Sequence, residues 1–452
     1  MTNMLNIAKS GIYASQMALN TTSHNIANAG VNGYSRQESV LTSRMGGGVE
    51  IATTRRIGEQ FLVSSIWNAN SDAAFAGTQR SYFDQIENVF SSDSSDVAAG
   101  LDSLFASLNS AMLSPQDSAT RQGVLNEVKN LSQRFNNINS SLEQQWTQND
   151  SELQASTVDL NGYLGNIASI NQQIRDLGGI DNAPPALLDQ RDDTVAKLAN
   201  LVDVSANQNS DGTLNLSLSN GQPLVVGTTA ASVDLRPDPA DPSRSALSLE
   251  FNGTRFDLDQ QAGGSLGALL DYRDGTLSQS RQFIDELGQT MADAFNGVQT
   301  AGFDLNGAAG QPLFSYDPLD PAGTLTLAAG FSADMLAFSS DGSPGDNGNL
   351  QALVDIATAQ YSFASLGGIS TSMNDAYVTQ VGSLGSASRQ AQLDAAAAEK
   401  AQLHANNEWM SVAGVNLDEE AVNLIAYQQA YQANAKVMTA ADQLFSTLLN
   451  SF

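Results

Sequence analysis

Apolar residues recur at seven-residue intervals at both ends of this chain. They are Leu5, Ile12, Leu19 and Ile26 at the start, and Leu417, Leu424, Tyr431, Met438, Phe445 and Phe452 at the finish. A seven-residue period keeps one stripe of a helix facing a partner, which is the sequence form of coiled-coil packing. The faces around the stripes are nearly uncharged. Lys9 is the only Lys, Arg, Asp or Glu before Arg36, and no charge falls between Glu420 and Lys436. A solitary surface helix carries charge on its outer face, so these helices are expected to have neighbours. The two stripes are unequal in length, so a single pair leaves part of the longer one uncovered. Both ends are therefore expected to complete their folding only when neighbouring subunits supply further apolar surface. The termini read as assembly devices.

With 452 residues the chain has material for two to four domains. Its formal charge of -28 speaks against nucleic acid and anionic membrane surfaces as partners, because both require a basic patch. There are no cysteines, which excludes disulfides, thiolate metal sites and cysteine nucleophiles. No stretch approaches the roughly 18–20 consecutive apolar residues that span a bilayer. The N-terminus has no basic segment followed by an apolar core, so a cleaved Sec-type signal is not expected, and export would use another route.

Hydrophobic period and turn residues predict the elements. A first helix runs over 3–28 and stops at Asn28-Ala29-Gly30, before an Asn32-Gly33 turn. Short β-like pieces follow over 40–57, around Gly46-Gly47-Gly48. Helix is predicted over 58–90 and 101–113. Val124, Val128, Leu131, Phe135, Ile138 and Leu142, then Leu153, Leu160, Ile167 and Ile174, fit one helix over 116–177. Such a helix is about 90 Å long, which suits an elongated molecule. Gly178-Gly179 stops it, and Pro184-Pro185 opens a helix over 186–201. The period then changes to two: Leu214, Leu216, Leu218 and Leu247, Leu249, Phe251 alternate with polar residues, and Asn220-Gly221 and Asn252-Gly253 mark hairpin turns. A proline-rich loop, 236–242, lies between them. Helix returns over 266–300, a Gly/Pro/Asp-rich stretch at 301–360 has strand candidates at 313–316 and 324–328, and helix resumes by 373 with a break near 412–416.

The fold class is thus mainly α with inserted β, an elongated multi-domain subunit. The expected division is a coiled-coil-like terminal domain (1–40 with 412–452), a long-helix middle domain (41–201 with 263–411, irregular at 301–360), and a small outer β domain (202–262). Nested pairing of the helices would place both termini at one end.

Catalytic chemistry finds little support. His24 has no carboxylate within thirteen residues, and His404 has Glu408 one turn on but no second histidine or cysteine to complete a metal site. Asp304-Leu305-Asn306-Gly307 resembles the start of a calcium loop without its closing acid and reads better as an Asx turn. The acidic, glycine-rich 341–349 reads as a solvated loop. Asp189, Asp192 and Asp193 around Arg191 are explained by ion pairing and a helix N-terminus. No nucleophile elbow or phosphate loop appears. The chain reads as a non-enzyme without a cofactor.

The motifs at the two ends carry a family resemblance. Asn20-Thr21-Thr22-Ser23-His24-Asn25-Ile26-Ala27-Asn28 with Gly33-Tyr34-Ser35-Arg36-Gln37 is similar to the N-terminal signature of bacterial flagellar axial proteins. Gly414-Val415-Asn416-Leu417-Asp418-Glu419-Glu420 and Tyr427-Gln428-Gln429-Ala430-Tyr431-Gln432-Ala433-Asn434-Ala435 match the C-terminal signature. Rod, hook and hook-associated proteins share versions of both. The interior narrows the choice: Leu187-Leu188-Asp189-Gln190-Arg191-Asp192, Gly263-Gly264-Ser265-Leu266-Gly267-Ala268-Leu269-Leu270 and Ala294-Phe295-Asn296 with Ala301-Gly302-Phe303-Asp304 resemble the hook-associated protein 1 family. Rod and hook proteins show Thr-Pro before Gly-Tyr, where this chain has Val31-Asn32. The chain is also short for the family, which implies a missing outer domain.

What the resemblance implies is a homo-oligomeric ring at the hook–filament junction, with terminal helices as the inner tube wall. Export would go through the flagellar type III apparatus, uncleaved, with a chaperone holding the C-terminal helix. Hook protein and hook-associated protein 3 would be the adjacent partners. The residues that carry the motif are Asn25, Asn28, Gly33, Tyr34, Arg36, Asp189, Gln190, Arg191, Asn416, Leu417 and Asp418. Among the uncharged amides of the last helix, Gln428, Gln432 and Asn434 are read either as lining an export channel or as hydrogen-bonding between helices. A hook or distal rod subunit remains the nearest alternative. A secreted calcium-dependent adhesin or hydrolase is the alternative of another class.

Overall fold

The computed structural model describes every residue except Met1, Asn32, Gly46, 238–244, Pro344 and 450–452. Phe452 of the C-terminal stripe, Asn32 of the expected turn and most of the proline-rich loop therefore lie outside the described residues. In chain order the helices are α1 (Thr2–Asn28), α2 (Gln60–Ser91), α3 (Val97–Met112), α4 (Ser118–Asp176), α5 (Pro185–Leu201), α6 (Gly264–Tyr272), α7 (Ser278–Ala301), α8 (Pro321–Thr324), α9 (Gly348–Asp355), α10 (Met373–Ala413) and α11 (Leu417–Leu449). The strands are β1 (Gln37–Ser43), β2 (Val49–Arg56), β3 (Ser205–Gln208), β4 (Leu214–Ser217), β5 (Pro223–Val226), β6 (Thr229–Ala230), β7 (Ser232–Pro237), β8 (Ser245–Phe251), β9 (Thr254–Leu258), β10 (Phe314–Ser315), β11 (Thr326–Leu327), β12 (Tyr361–Phe363) and β13 (Ile369–Thr371).

Two compact units form. One holds residues 1–75, 154–267 and 396–452, the other 76–153 and 268–395. In the first, α1 packs along α11, antiparallel, and the β1–β2 hairpin lies along α1. The seam of α1 differs from the expected stripe. Its buried residues are small or polar, Ala8, Ala14, Ser15, Ala18, Thr21, Thr22 and Asn25. Leu5, Ile12 and Leu19 are only half-buried and Ile26 is exposed. Small residues let two helix backbones approach closely: a Cβ on Gly11 would fall 2.5 Å from Asn434 Oδ1 of α11. On α11 the covered positions follow a spacing of three and four, through Glu420, Leu424, Tyr427, Ala430 and Asn434, so Tyr431, Met438 and Phe445 turn outward. A straight helix drifts about 20° per heptad from a strict seven-residue repeat, which carries the later stripe residues off the seam.

The C-terminal part of α4 organises the two small sheets of the same unit, ordered β3-β4-β5-β6 and β7-β8-β9. Two asparagines act as strand partners. Asn171 donates to Leu214 O and Gly227 O and accepts from Leu214 N, while Asn161 donates to Val233 O and accepts from Val233 N. The alternating Leu214, Leu216, Leu247 and Leu249 are buried, as their period predicts.

In the second unit the core is built from Val128, Leu131, Phe135 and Ile138 of α4, Leu101, Leu104 and Leu108 of α3, and Phe283, Leu287, Met291 and Phe295 of α7. The expected single helix over 266–300 is interrupted by a π-turn at Arg273–Leu277, where Arg273 is buried and pairs with Asp274. The 301–360 stretch has the two expected short strands, paired as β10–β11, and two helices, α8 and α9, that its composition concealed. Asp304 forms the Asx turn, its Oδ1 accepting from Asn306 N and Ala308 N. The acidic 341–349 loop uses Asp346 for itself. The carboxylate accepts from Ser340 N, Ser340 Oγ and Ser339 Oγ, and these bonds hold its pKa down to about 2. Among the described residues no three His, Cys, Asp or Glu side chains are grouped to hold a metal, and no helix is long and apolar enough to cross a membrane.

Candidate assembly site

Three sequence motifs that lie far apart in the chain meet where α1 ends and α11 begins. The chain reverses after α1 through Gly33, whose φ of 78° suits glycine. Asn25 then clamps the return. Its Nδ2 donates to Gln37 O at 2.9 Å, and its Oδ1 accepts from Gln37 N at 2.9 Å and from Tyr34 Oη at 2.9 Å. An asparagine can serve both polar groups of one residue because its amide mirrors a peptide. Burial, with the nearby Asp189 and Glu420 charges, pushes the Tyr34 phenol up to about 12, so it stays a donor at neutral pH.

The reversal presents Arg36 to the start of α11. Arg36 N donates to Ala413 O at 2.8 Å. Its Nε binds Glu420 Oε1 at 2.7 Å and its Nη1 binds Glu419 Oε2 at 2.8 Å. Partial burial works to lower the Arg36 pKa, but Glu420 and Glu419 outweigh it and the net shift is upward. Asn416 caps the helix, its Oδ1 accepting from Asp418 N at 3.0 Å. Asp418, Glu419 and Glu420 in the first turn are favourably placed against the helix dipole.

Asp189 ties the third motif to the same turn. It accepts from Ser35 N at 3.3 Å and from Arg56 Nη1 at 3.2 Å, and Arg56 also reaches Asp192 at 2.6 Å. Burial raises the Asp189 pKa, with Ser35 and Arg56 only partly offsetting it. Burial likewise lowers the Arg56 pKa, but Asp192 and Asp189 carry it above its ordinary value. Arg191, the expected partner of these carboxylates, reaches Asp192, Nε to Oδ1 at 3.7 Å, rather than Asp189. It is fully buried, donates from Nη1 to Gly212 O at 3.0 Å, and has its pKa lowered by that burial. Trp67 Nε1 donates to Asp192 O at 3.2 Å, fixing α2 against α5.

Other motif residues stand outside this cluster. Asn28 donates to His24 O within α1, Gln190 is exposed with its carbonyl taken by Thr194, and Leu417 is exposed. Gln428 and Gln432 are exposed on α11, whereas Asn434 faces α1, packs on Gly11 and donates to Ala430 O. Among the described residues His404 pairs only with Glu408, at 3.6 Å on the surface. Arg56, Trp67 and Gly11 were not foreseen. For Arg56 a signal existed, since Arg55-Arg56 is a basic doublet in a strongly acidic chain.

Residues 83–314 match a family model described as the flagellar hook-associated protein FlgK helical domain. Residues 407–451 match one described as the flagellar basal body rod FlgEFG protein C-terminal. The chain is 28% identical over 550 residues to flagellar hook-associated protein 1 of Escherichia coli (strain K12), covering 100% of both. It is 26% identical over 496 residues to the protein of that name from Bacillus subtilis (strain 168), covering 99% of this chain and 97% of the relative. A solved structure of the flagellar hook junction protein FlgK from Burkholderia pseudomallei superimposes with a TM-score of 0.69 at 16% identity, covering 77% of this chain and 100% of that one.

Proposed function

The chain belongs to the flagellar hook-associated protein 1 family, and from that membership we propose that it is a structural subunit of the bacterial flagellum, joining hook to filament through its terminal helices. The observation that carries this reading is the outer face of the α1–α11 pair. Met4, Ile7, Tyr13 and Met17 on α1, and Val422, Ile425, Tyr431, Val437, Leu444 and Phe445 on α11, are exposed with almost no charge among them. So many exposed large apolar residues on one helix pair mark an interaction surface. Neighbouring copies in a ring, hook protein on one side and hook-associated protein 3 on the other would cover it. Before assembly the same surface needs protection, which fits a chaperone on the C-terminal helix and passage through the type III apparatus without signal cleavage. The work asked of the chain is mechanical rather than catalytic, at the extracellular end of the hook.

The match at 407–451 fits axial proteins at large and keeps a hook or distal rod subunit as the second reading; the match at 83–314 favours the hook-associated type. A null strain separates them. Hooks without filaments, with flagellin released into the medium and filaments restored by the full chain, is the expected result. Absence of the hook itself would move the chain to the rod or hook. Gln428 and Gln432 are proposed to line the export channel, since amides wet a wall without holding passing chains of either charge. Gln432→Lys is then expected to slow filament elongation while ring assembly stays normal. Unchanged elongation would assign these amides to contacts between helices.

A further inference from the structure

An open groove of about 640 Å³ lies beside the polar cluster, in the unit that carries the terminal helices. Its walls include Trp67, Trp409, Leu403 and Met410, and its charged lining is two carboxylates, Asp192 and Asp193, against the one guanidinium of Arg56. Leu403 and Met410 are exposed in it. At the other end of α1 the β1–β2 hairpin holds out an apolar and a basic side chain: Met45 is 102% exposed, and Arg44 beside it is exposed as well. We infer that the groove receives the hairpin tip, Arg44 and Met45, of a second copy of this chain. The inference rests on the axial-subunit reading above and names one of its contact surfaces.

Five observations support it. The tip is presented by a fixed support, because the hairpin is fastened along α1 by Asn25 to Gln37, Thr21 to Ser39 at 2.8 Å, and Ser10 to Val49 N at 3.1 Å. An unbranched thioether suits an irregular groove that offers the partly exposed indole of Trp409, since sulfur makes favourable contacts with aromatic rings.

One copy cannot fill its own groove. A Cβ on Gly47, next to the tip, would fall 3.0 Å from Ile7 Cδ1, whereas the groove begins at Ala29. Along α1 those positions are about 33 Å apart.

Charge points the same way. Copies of a chain with net charge -28 repel one another, yet residues 1–57 contain five Lys and Arg against two Glu and no Asp. Arg36, Arg55 and Arg56 are engaged by carboxylates of their own chain, so Arg44 at the exposed tip is where an acidic copy can be approached. Among the described residues Asp193 is bound only to Lys197, in a pair about half-exposed on each side, a weak bond that leaves the carboxylate open to Arg44.

Finally, tip and groove are different surfaces. A contact between them is head-to-tail and repeats from copy to copy, as a ring or helical tube requires.

The natural absence of cysteine makes the test clean. A Met45→Cys, Leu403→Cys double variant is expressed in the null strain, and its sheared flagella are oxidised. A ladder of cross-linked multiples of this chain is expected, absent from either single variant and from the soluble monomer. Filaments without a ladder would overturn the docking and leave the hook–filament role standing; failure of the unmodified chain to restore filaments would overturn that role instead. A Met45→Cys cross-link to a different protein would overturn the second copy as occupant. Should the double variant not assemble, charge exchange decides. Arg44→Glu is expected to lower the fraction of filament-bearing cells about tenfold, and adding Asp193→Arg to restore it. No restoration overturns the proposal.

Discussion

Replacing Arg36 with alanine is expected to destabilise the attachment of α11 by about 3–5 kcal/mol, because it strands a buried carboxylate. The Glu420 side chain is 2% exposed and Arg36 Nε is its ion-pair partner, at 2.7 Å. The second arm, to Glu419, adds little because that side chain is 57% exposed. The loss is best read by hydrogen exchange of amides in the first turns of α11, compared between wild type and variant in the assembled protein. Arg36→Lys should fall between wild type and alanine, keeping the charge but not the fork that reaches both carboxylates. A change below about 1 kcal/mol in the alanine variant would mean that Glu420 finds water, and that the turn is not a lock.

Gly264→Ala is expected to cost a comparable 3–5 kcal/mol, by a different route. Gly264 has φ of 56° and follows Gly263 at 66°. A Cβ there would overlap the main-chain carbonyl of Leu201 at the end of α5. The obstacle is backbone rather than a side chain that can rotate away. Gly221 is the internal control, with φ of 88° and nothing within 4 Å of a Cβ. Alanine there should cost only the conformational strain of about 1–2 kcal/mol. If the two variants unfold at similar denaturant concentrations, the close crossing of α5 and the start of α6 is not what the glycine serves.

Much of this architecture was legible from periodicity. The helix predicted over 116–177 is α4, because a pattern of threes, fours and sevens sustained over so many turns fits one element only. The change to alternation at Leu214 located the sheets for the same reason. The π-turn at Arg273–Leu277 was not legible, since the apolar residues on either side of it each fit a helical period. Nor was the seam of α1. Hydrophobic counting weights large side chains, and here the close contact belongs to Gly11 and the alanines, which carry little hydrophobic signal. The polar cluster was half visible. Its motifs could be quoted, but that Asp189 answers Ser35 and Arg56 rather than Arg191 depends on contacts between residues 133 and 154 positions apart.

The seam also bears on lifetime. Within one subunit the closest contacts of α1 with α11 are made by Gly11 and small neighbours, and the large apolar residues Leu5, Ile12, Leu19, Leu424 and Tyr427 are only half-buried, so the seam holds weakly on its own. The larger apolar groups face outward, so most of what retains these helices would be contributed by adjacent chains. A subunit inside a closed array then cannot let go of its terminal helices without first losing several neighbours at once. Its persistence becomes a property of the array's slowest breach rather than of the subunit's own equilibrium stability. A part that is easily opened while it travels alone is, by the same seam, hard to extract once it has been surrounded.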